Sequence, residues 1–135
     1  SISSTKIIDG EHAVLGRLAS YAAKQALLGN KVVVVNCDKV VISGRRLQII
    51  SDYKITRARG GHSQKGPIFP TTPAKIVKRT IRGMLSYKDG RGASAFKRIK
   101  CYEKIPKEFN EANKENISVS AHGNINLKEL SMELR

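Results

Sequence analysis

The segment KVVVVN, Lys31 to Asn36, constrains this chain more than any other. Successive side chains of a strand point to opposite sides, so a run of four valines is apolar on both faces. Such a strand has to be covered twice, which is the situation of a parallel sheet flanked by helices. The residues before it supply one cover. In LGRLASYAAKQALLG, Leu15, Leu18, Ala22 and Ala26 recur at helical spacing and share a face. Gly29-Asn30 stops that helix, because glycine takes the left-handed cap conformation without steric cost. KIID, Lys6 to Asp9, reads as a short strand ended by the turn pair Asp9-Gly10.

The rest of the chain continues the alternation. KVVIS, Lys39 to Ser43, is a third strand or an extended connection, and RRLQIISDYK is a short helix of weaker periodicity. Helix resumes at Thr72-Pro73, where threonine can cap and proline fits the first turn. DGRGAS leads into a short helix near Ala93 to Lys97, and RIKCYE, Arg98 to Glu103, alternates as a strand. IPKEFNEANKEN is a polar surface connection, and Asn126 with Glu129 has the spacing of a capping box before a last helical turn or two. This order predicts an α/β domain with a mainly parallel sheet. The expected organisation is one domain over residues 1–106, interrupted by a basic loop at 54–72, with an extension at 107–135 packing on its surface.

A chain of 135 residues with 40% hydrophobic content is long enough for one core. No apolar run approaches the roughly 20 residues that a membrane span needs. The start SISSTKIIDG lacks the layout of a secretory signal. Cys37 and Cys101 stand far apart without metal-ligand spacing and read as reduced thiols, which fits the cytoplasm.

Charge is the outlying property. The chain has 25 Lys and Arg against 11 Asp and Glu, a net of +14. Between Arg45 and Lys107 there are 17 Lys and Arg and 3 acids; the remaining residues carry 8 of each sign. The whole excess therefore belongs to the middle of the chain, and a concentrated block implies a polyanionic partner.

PAKIVKRTIRGMLSYK shows how that block can coexist with a core. At about 100° per residue, Ile76, Val77, Thr80, Ile81, Met84 and Leu85 occupy one half of the helical wheel. Lys75, Lys78, Arg79 and Arg82 occupy the other half, with no acid beside them. A solvated face normally mixes the two signs. Four like charges on adjacent turns repel by a few tenths of a kcal/mol per pair, which an anionic partner would offset. The glycine- and proline-rich segment RARGGHSQKGPIFP adds Arg57, Arg59, His62 and Lys65, with Gly60, Gly61 and Gly66 letting the backbone approach phosphates. A third cluster contributes Lys88, Arg91, Lys97, Arg98 and Lys100. These thirteen residues are the candidate contacts to that polyanion. If about 8 to 10 phosphates are touched, binding weakens with salt at a log–log slope on the order of −6 to −9.

RNA fits better than DNA. No helix-turn-helix, zinc-finger or paired basic-helix pattern is present, and an irregular basic loop tracks folded RNA more readily than a regular major groove. An enzyme reading starts from DGEHAVLGRLA, which follows a strand and opens a helix, with Asp38 near the end of the next strand. Gly10 and Gly16 alone do not make the G-x-G-x-x-G turn, and no phosphate-binding G-x-x-x-x-G-K-[ST] occurs. In the simpler reading Gly16 permits close helix–sheet contact and Asp38 serves a turn. His12, His62 and His122 are isolated from the cysteines and from one another, so no catalytic or metal motif forms locally. No cofactor, small-molecule substrate or membrane partner is implied.

Two stretches together resemble one family. IIDGEHAVLGRLASYAAKQALLGNKVVVVNCDKVVISG and KGPIFPTTPAKIVKRTIRGMLSYKDGRGASAFKRIKCYEKIP are similar to the universal large-subunit ribosomal protein family numbered thirteen, in its archaeal and eukaryotic branch. The resemblance covers most of Ile7 to Pro106. It implies a three-layer α/β/α domain on a four-stranded parallel sheet. It also implies a structural role binding large-subunit ribosomal RNA among neighbouring ribosomal proteins, during assembly and in the mature particle. Gly16-Arg17 match the family's first signature, Arg79, Arg82 and Gly83 its second, and Arg91-Gly92 the turn that follows. A nucleotide-binding α/β enzyme and an RNA-binding regulator outside the ribosome are the alternatives.

Overall fold

The computed structural model describes residues 4–42, 46–60, 72–86, 88, 90–116 and 125–134, with backbone alone at 46–47 and 56–60. Its elements run β1 (Thr5–Asp9), α1 (Leu15–Leu27), β2 (Lys31–Val35), a 3₁₀ turn (Cys37–Lys39), β3 (Val41–Ile42), α2 (Arg46–Gly60), α3 (Pro73–Met84), α4 (Gly90–Lys97), β4 (Ile99–Cys101), a second 3₁₀ turn (Lys107–Phe109), β5 (Glu115–Asn116), β6 (Ile125–Asn126) and α5 (Leu127–Leu134). Four strands form one parallel sheet in the order β4-β2-β1-β5. The valine run lies inside it, with Val32, Val34 and Val35 fully buried and Val33 nearly so. The α/β class with a mainly parallel sheet is thus the architecture of the molecule.

One sheet face, through Ile8, Val32, Val34 and Ile99, joins a core with α1, α3 and α4. The buried stripe of α1 is Leu15, Leu18, Ala19, Ala22, Ala23 and Ala26, and its alanines let α3 lie close alongside. Each large aliphatic side chain so buried contributes about 1.5–3 kcal/mol. Beside the opposite face runs the connection after β4, where the Tyr102 and Phe109 rings meet at 6.2 Å between centroids. Gly29 ends α1 with φ +99, the left-handed conformation its sequence position requires.

Several local expectations change. Gly16 is exposed, and a Cβ there would meet nothing, so it does not mediate helix–sheet contact. Gly10 does the close packing instead: a Cβ would stand 2.7 Å from Val40 Cγ2 and 3.0 Å from the Val35 carbonyl oxygen. Thr72 precedes α3 in extended conformation, but its side chain makes no cap bond; Pro73 at the first helical position carries the start signal. Helix α2 reaches Gly60, so residues 54–60, expected in the basic loop, are helical. Neither glycine nor proline interrupts the chain between Arg46 and Arg59.

The end of the chain enters the core, where surface packing was expected. Ile125, Leu127, Leu130 and Leu134 are all buried, and β6 pairs antiparallel with β3, Ile125 opposite Ile42. The Asn126 carboxamide oxygen accepts a 2.8 Å hydrogen bond from the Glu129 amide, so the spacing read as a cap is a cap. Leu127, Leu130 and Leu134 repeat at three and four residues and give α5 its inner face. Within the polar connection, Glu115 of β5 accepts a hydrogen bond from Tyr21 and pairs with Lys6 at 3.5 Å. That hydrogen bond, then burial, then the carboxylate's charge hold the Tyr21 phenol above its ordinary value of 10.0.

Candidate nucleic-acid interface

Helix α3 separates its two faces as its sequence dictates. Ile76, Val77 and Ile81 are buried, with Leu85 just past the helix end. Met84, placed with them by periodicity, is instead 47% exposed, although its neighbours Ile81 and Leu85 are buried. Lys75 is exposed, and Lys78, Arg79 and Arg82 are half-buried. These four cations line a cleft of about 300 Å³ together with Ala74, Phe96 and Cys101.

Lys78 is also part of the fold. Its Nζ donates a 2.7 Å hydrogen bond to the Ile99 carbonyl oxygen and lies 5.0 Å from the Phe96 ring centroid. Strand β4 is an edge strand whose Arg98 carbonyl and Tyr102 amide face β2. Ile99 therefore turns its carbonyl outward, and the Lys78 ammonium satisfies it. Edge strands need such blocking, since an open row of backbone groups templates pairing with other chains. The cation over the aromatic face adds a further favourable contact.

Arg98 has a comparable internal role. Its Nη1 donates a 2.8 Å hydrogen bond to the Ala26 carbonyl oxygen at the end of α1. That carbonyl also accepts from the Gly29 amide at 3.0 Å and lies at the negative pole of the helix, where a guanidinium is well placed. Lys78 and Arg98, both candidate contacts, are therefore also anchors of the structure.

The others are distributed as follows. Lys97 and Lys100 are exposed and, with Arg98, border a groove of about 400 Å³ whose floor includes Thr5, Val33, Tyr102 and Phe109. Parallel pairing brings the start of β2 to this groove and adds Lys31, which sequence reasoning missed. Its strand pairing, not its neighbours in sequence, places it there. Arg91 is exposed and lines a third groove, of about 540 Å³, with Lys24, Leu28 and Met84. Lys88 is exposed between α3 and α4. Arg57 and Arg59 lie on the last helical stretch of α2, where only the backbone is described; His62 and Lys65 fall outside the described residues. The structure thus brings seven candidates, Lys75, Lys78, Arg79, Arg82, Lys97, Arg98 and Lys100, to clefts beside β4. Among the described residues lining these two clefts, Glu108 is the one acid.

The residues of the nucleotide-binding alternative have other roles. Gly10 packs against β2 and Val40, as described above. Asp38 is buried in the first 3₁₀ turn and accepts a 3.0 Å hydrogen bond from Lys104. His12, at φ 59, is an exposed turn residue 3.7 Å from Glu11. No described helix is long and apolar enough to cross a membrane.

A small α/β scaffold with its surplus cations gathered at one helix face and the adjoining sheet edge has the build of a nucleic-acid-binding protein. Comparison with known proteins supplies the family. The profile described as Ribosomal protein L13 matches residues 3–108, and the chain belongs to that family. The large ribosomal subunit protein uL13 of Methanosarcina barkeri is 47% identical over 106 residues, covering 78% of this chain and 75% of its own. The protein of the same name from Thermoplasma volcanium is 43% identical over 133 residues, 96% of this chain and 97% of its own. That from Methanocaldococcus jannaschii is 42% identical over 131 residues, 95% and 96% of the two chains. The last two similarities run through the buried tail.

Proposed function

We infer that this chain is a structural constituent of the large ribosomal subunit, acting in the cytoplasm as part of the ribosome and not as an enzyme. It binds and organises large-subunit ribosomal RNA during assembly and in the mature particle, next to other proteins of the subunit. Membership of the ribosomal protein L13 family supports the role. The observation that carries the RNA contact is the polar face of α3, whose Lys75, Lys78, Arg79 and Arg82 line a cleft beside the edge strand. The rim of Lys97, Lys100 and Lys31 extends it across β4. Backbone phosphates are the matching chemistry: guanidinium forks donate to two phosphate oxygens, and ammonium groups neutralise their neighbours. Such contacts fix position and shape without reading sequence. Arg57, Arg59, His62 and Lys65 of the basic segment, proposed from the sequence alone, are the remaining phosphate contacts of this reading.

Sedimentation of a lysate tests this reading. The protein should travel with large subunits at moderate salt and dissociate steeply as salt rises. A peak among free soluble proteins would contradict it, and saturable binding of a mononucleotide by the purified chain would favour the enzyme alternative.

A further inference from the structure

Cys37 and Cys101 are 64 positions apart in sequence, yet the sheet brings them together. Cys101 is the register partner of Val34 across the β2–β4 pairing. Cys37 follows β2, donates its amide to the Tyr102 carbonyl oxygen at 3.1 Å, and turns its sulfur back to the Val34 carbonyl oxygen at 3.7 Å. Both thiols therefore crowd Val34 from two directions. Each cysteine is free. Their exposures differ: Cys37 is fully buried, whereas Cys101 is half-buried and lines the basic cleft with Lys75, Lys78, Arg79 and Arg82.

We propose that low-molecular-weight disulfides oxidise this pair to an intramolecular Cys37–Cys101 disulfide, entering through Cys101. The cleft admits the reagent to Cys101, and its four cations attract an anionic one such as glutathione disulfide. The Cys101 thiol gives its proton to solvent, and its sulfur attacks one sulfur of the reagent. A mixed disulfide forms, the reagent's own bond breaks, and one thiol leaves. Cys37 then loses its proton and attacks the Cys101 sulfur, releasing the second thiol and forming the internal bond. Two protein thiols are oxidised and one external disulfide is reduced to two thiols, so atoms and electrons balance. A hydrogen bond with Cys101, followed by burial, raises the Cys37 thiol above its ordinary value. Burial persists once Cys101 carries the reagent, so closure by Cys37 quickens with rising pH. The bond would tie the exit of β2 to edge strand β4 and close a loop containing α2, α3 and α4.

The inference stands apart from the RNA reading and is tested without RNA. The folded full chain is incubated with glutathione disulfide and followed by intact mass and non-reducing peptide mapping. The expected course is one glutathionyl adduct on Cys101, then its loss with a Cys37–Cys101 cross-link, both free thiols gone and a raised Tm. Cys37→Ala should stop at the adduct, and Cys101→Ala should leave Cys37 unreacted until the protein is unfolded in urea. Persistent adducts on either cysteine in the wild type at raised pH, a cross-link formed only in urea, or two thiols that survive in the folded chain would each overturn the proposal.

Discussion

Residues 5–35 and 73–101 do the same structural work with very different charge. The first stretch gives β1, α1 and β2; the second gives α3, α4 and β4, and both build the same sheet and core. The first carries four Lys and Arg and two acids, the second nine and one. The apolar stripes are comparable, so the surplus of the second is not a packing requirement. It is added to faces that packing leaves over. Fold and binding should therefore largely separate under mutation, while Lys78 and Arg98 belong to both.

Five variants sharpen that separation, beginning with the largest effect. Ile81→Ala, on the buried face of α3, should cost about 3 kcal/mol of stability, read by denaturant unfolding. Changing Lys75, Arg79 and Arg82 together to Gln should act on the opposite quantity. Affinity for large-subunit RNA should fall at least about tenfold, and the salt slope should shrink by about 2 to 3, roughly one contact per residue. The accompanying loss of stability should be smaller than that of Ile81→Ala; an equal loss would merge the two faces the comparison keeps apart.

Lys78→Met and Lys75→Met divide the cations themselves. Removing Lys78 leaves the Ile99 carbonyl unpaired and should cost about 1 kcal/mol. Removing exposed Lys75 should stay within about 0.5 kcal/mol. Equal melting curves would show that the edge contact has no energetic weight. Tyr21→Phe tests the first stretch alone, by releasing Glu115 of β5. The folded phenol titrates above 10.0, so its stabilising contribution is complete below that value and fades as pH rises through the higher folded one. The gap between wild type and Tyr21→Phe, about 1 kcal/mol or less near neutral pH, should close in alkali. A constant gap would remove the carboxylate bond from the account.

Much of this was legible in the sequence because it is local. Four valines, an alanine-rich helical stripe and a proline at a helix start each determine their own element. The two faces of α3 follow from eleven consecutive residues read at one angle, Lys75 to Leu85. What stayed hidden depends on partners distant in the chain. Leu127, Leu130 and Leu134 make too short a repeat to reveal that they close the core. Gly10 gives no sign that Val40 will occupy the space beside it. Lys78, Arg98 and Lys75 are alike in sequence; carbonyls at Ile99 and Ala26 make the first two structural. Lys31 joins the basic rim because β2 pairs with β4, which no local pattern encodes.

Photo-cross-linking of purified large subunits, followed by mapping of RNA-linked peptides, tests the central claim most directly. RNA should be attached to peptides from the polar face of α3, residues 75–82, and from the rim at 97–100. Attachment confined to α1 and α5, with the α3 and β4 peptides unlinked, would contradict the account.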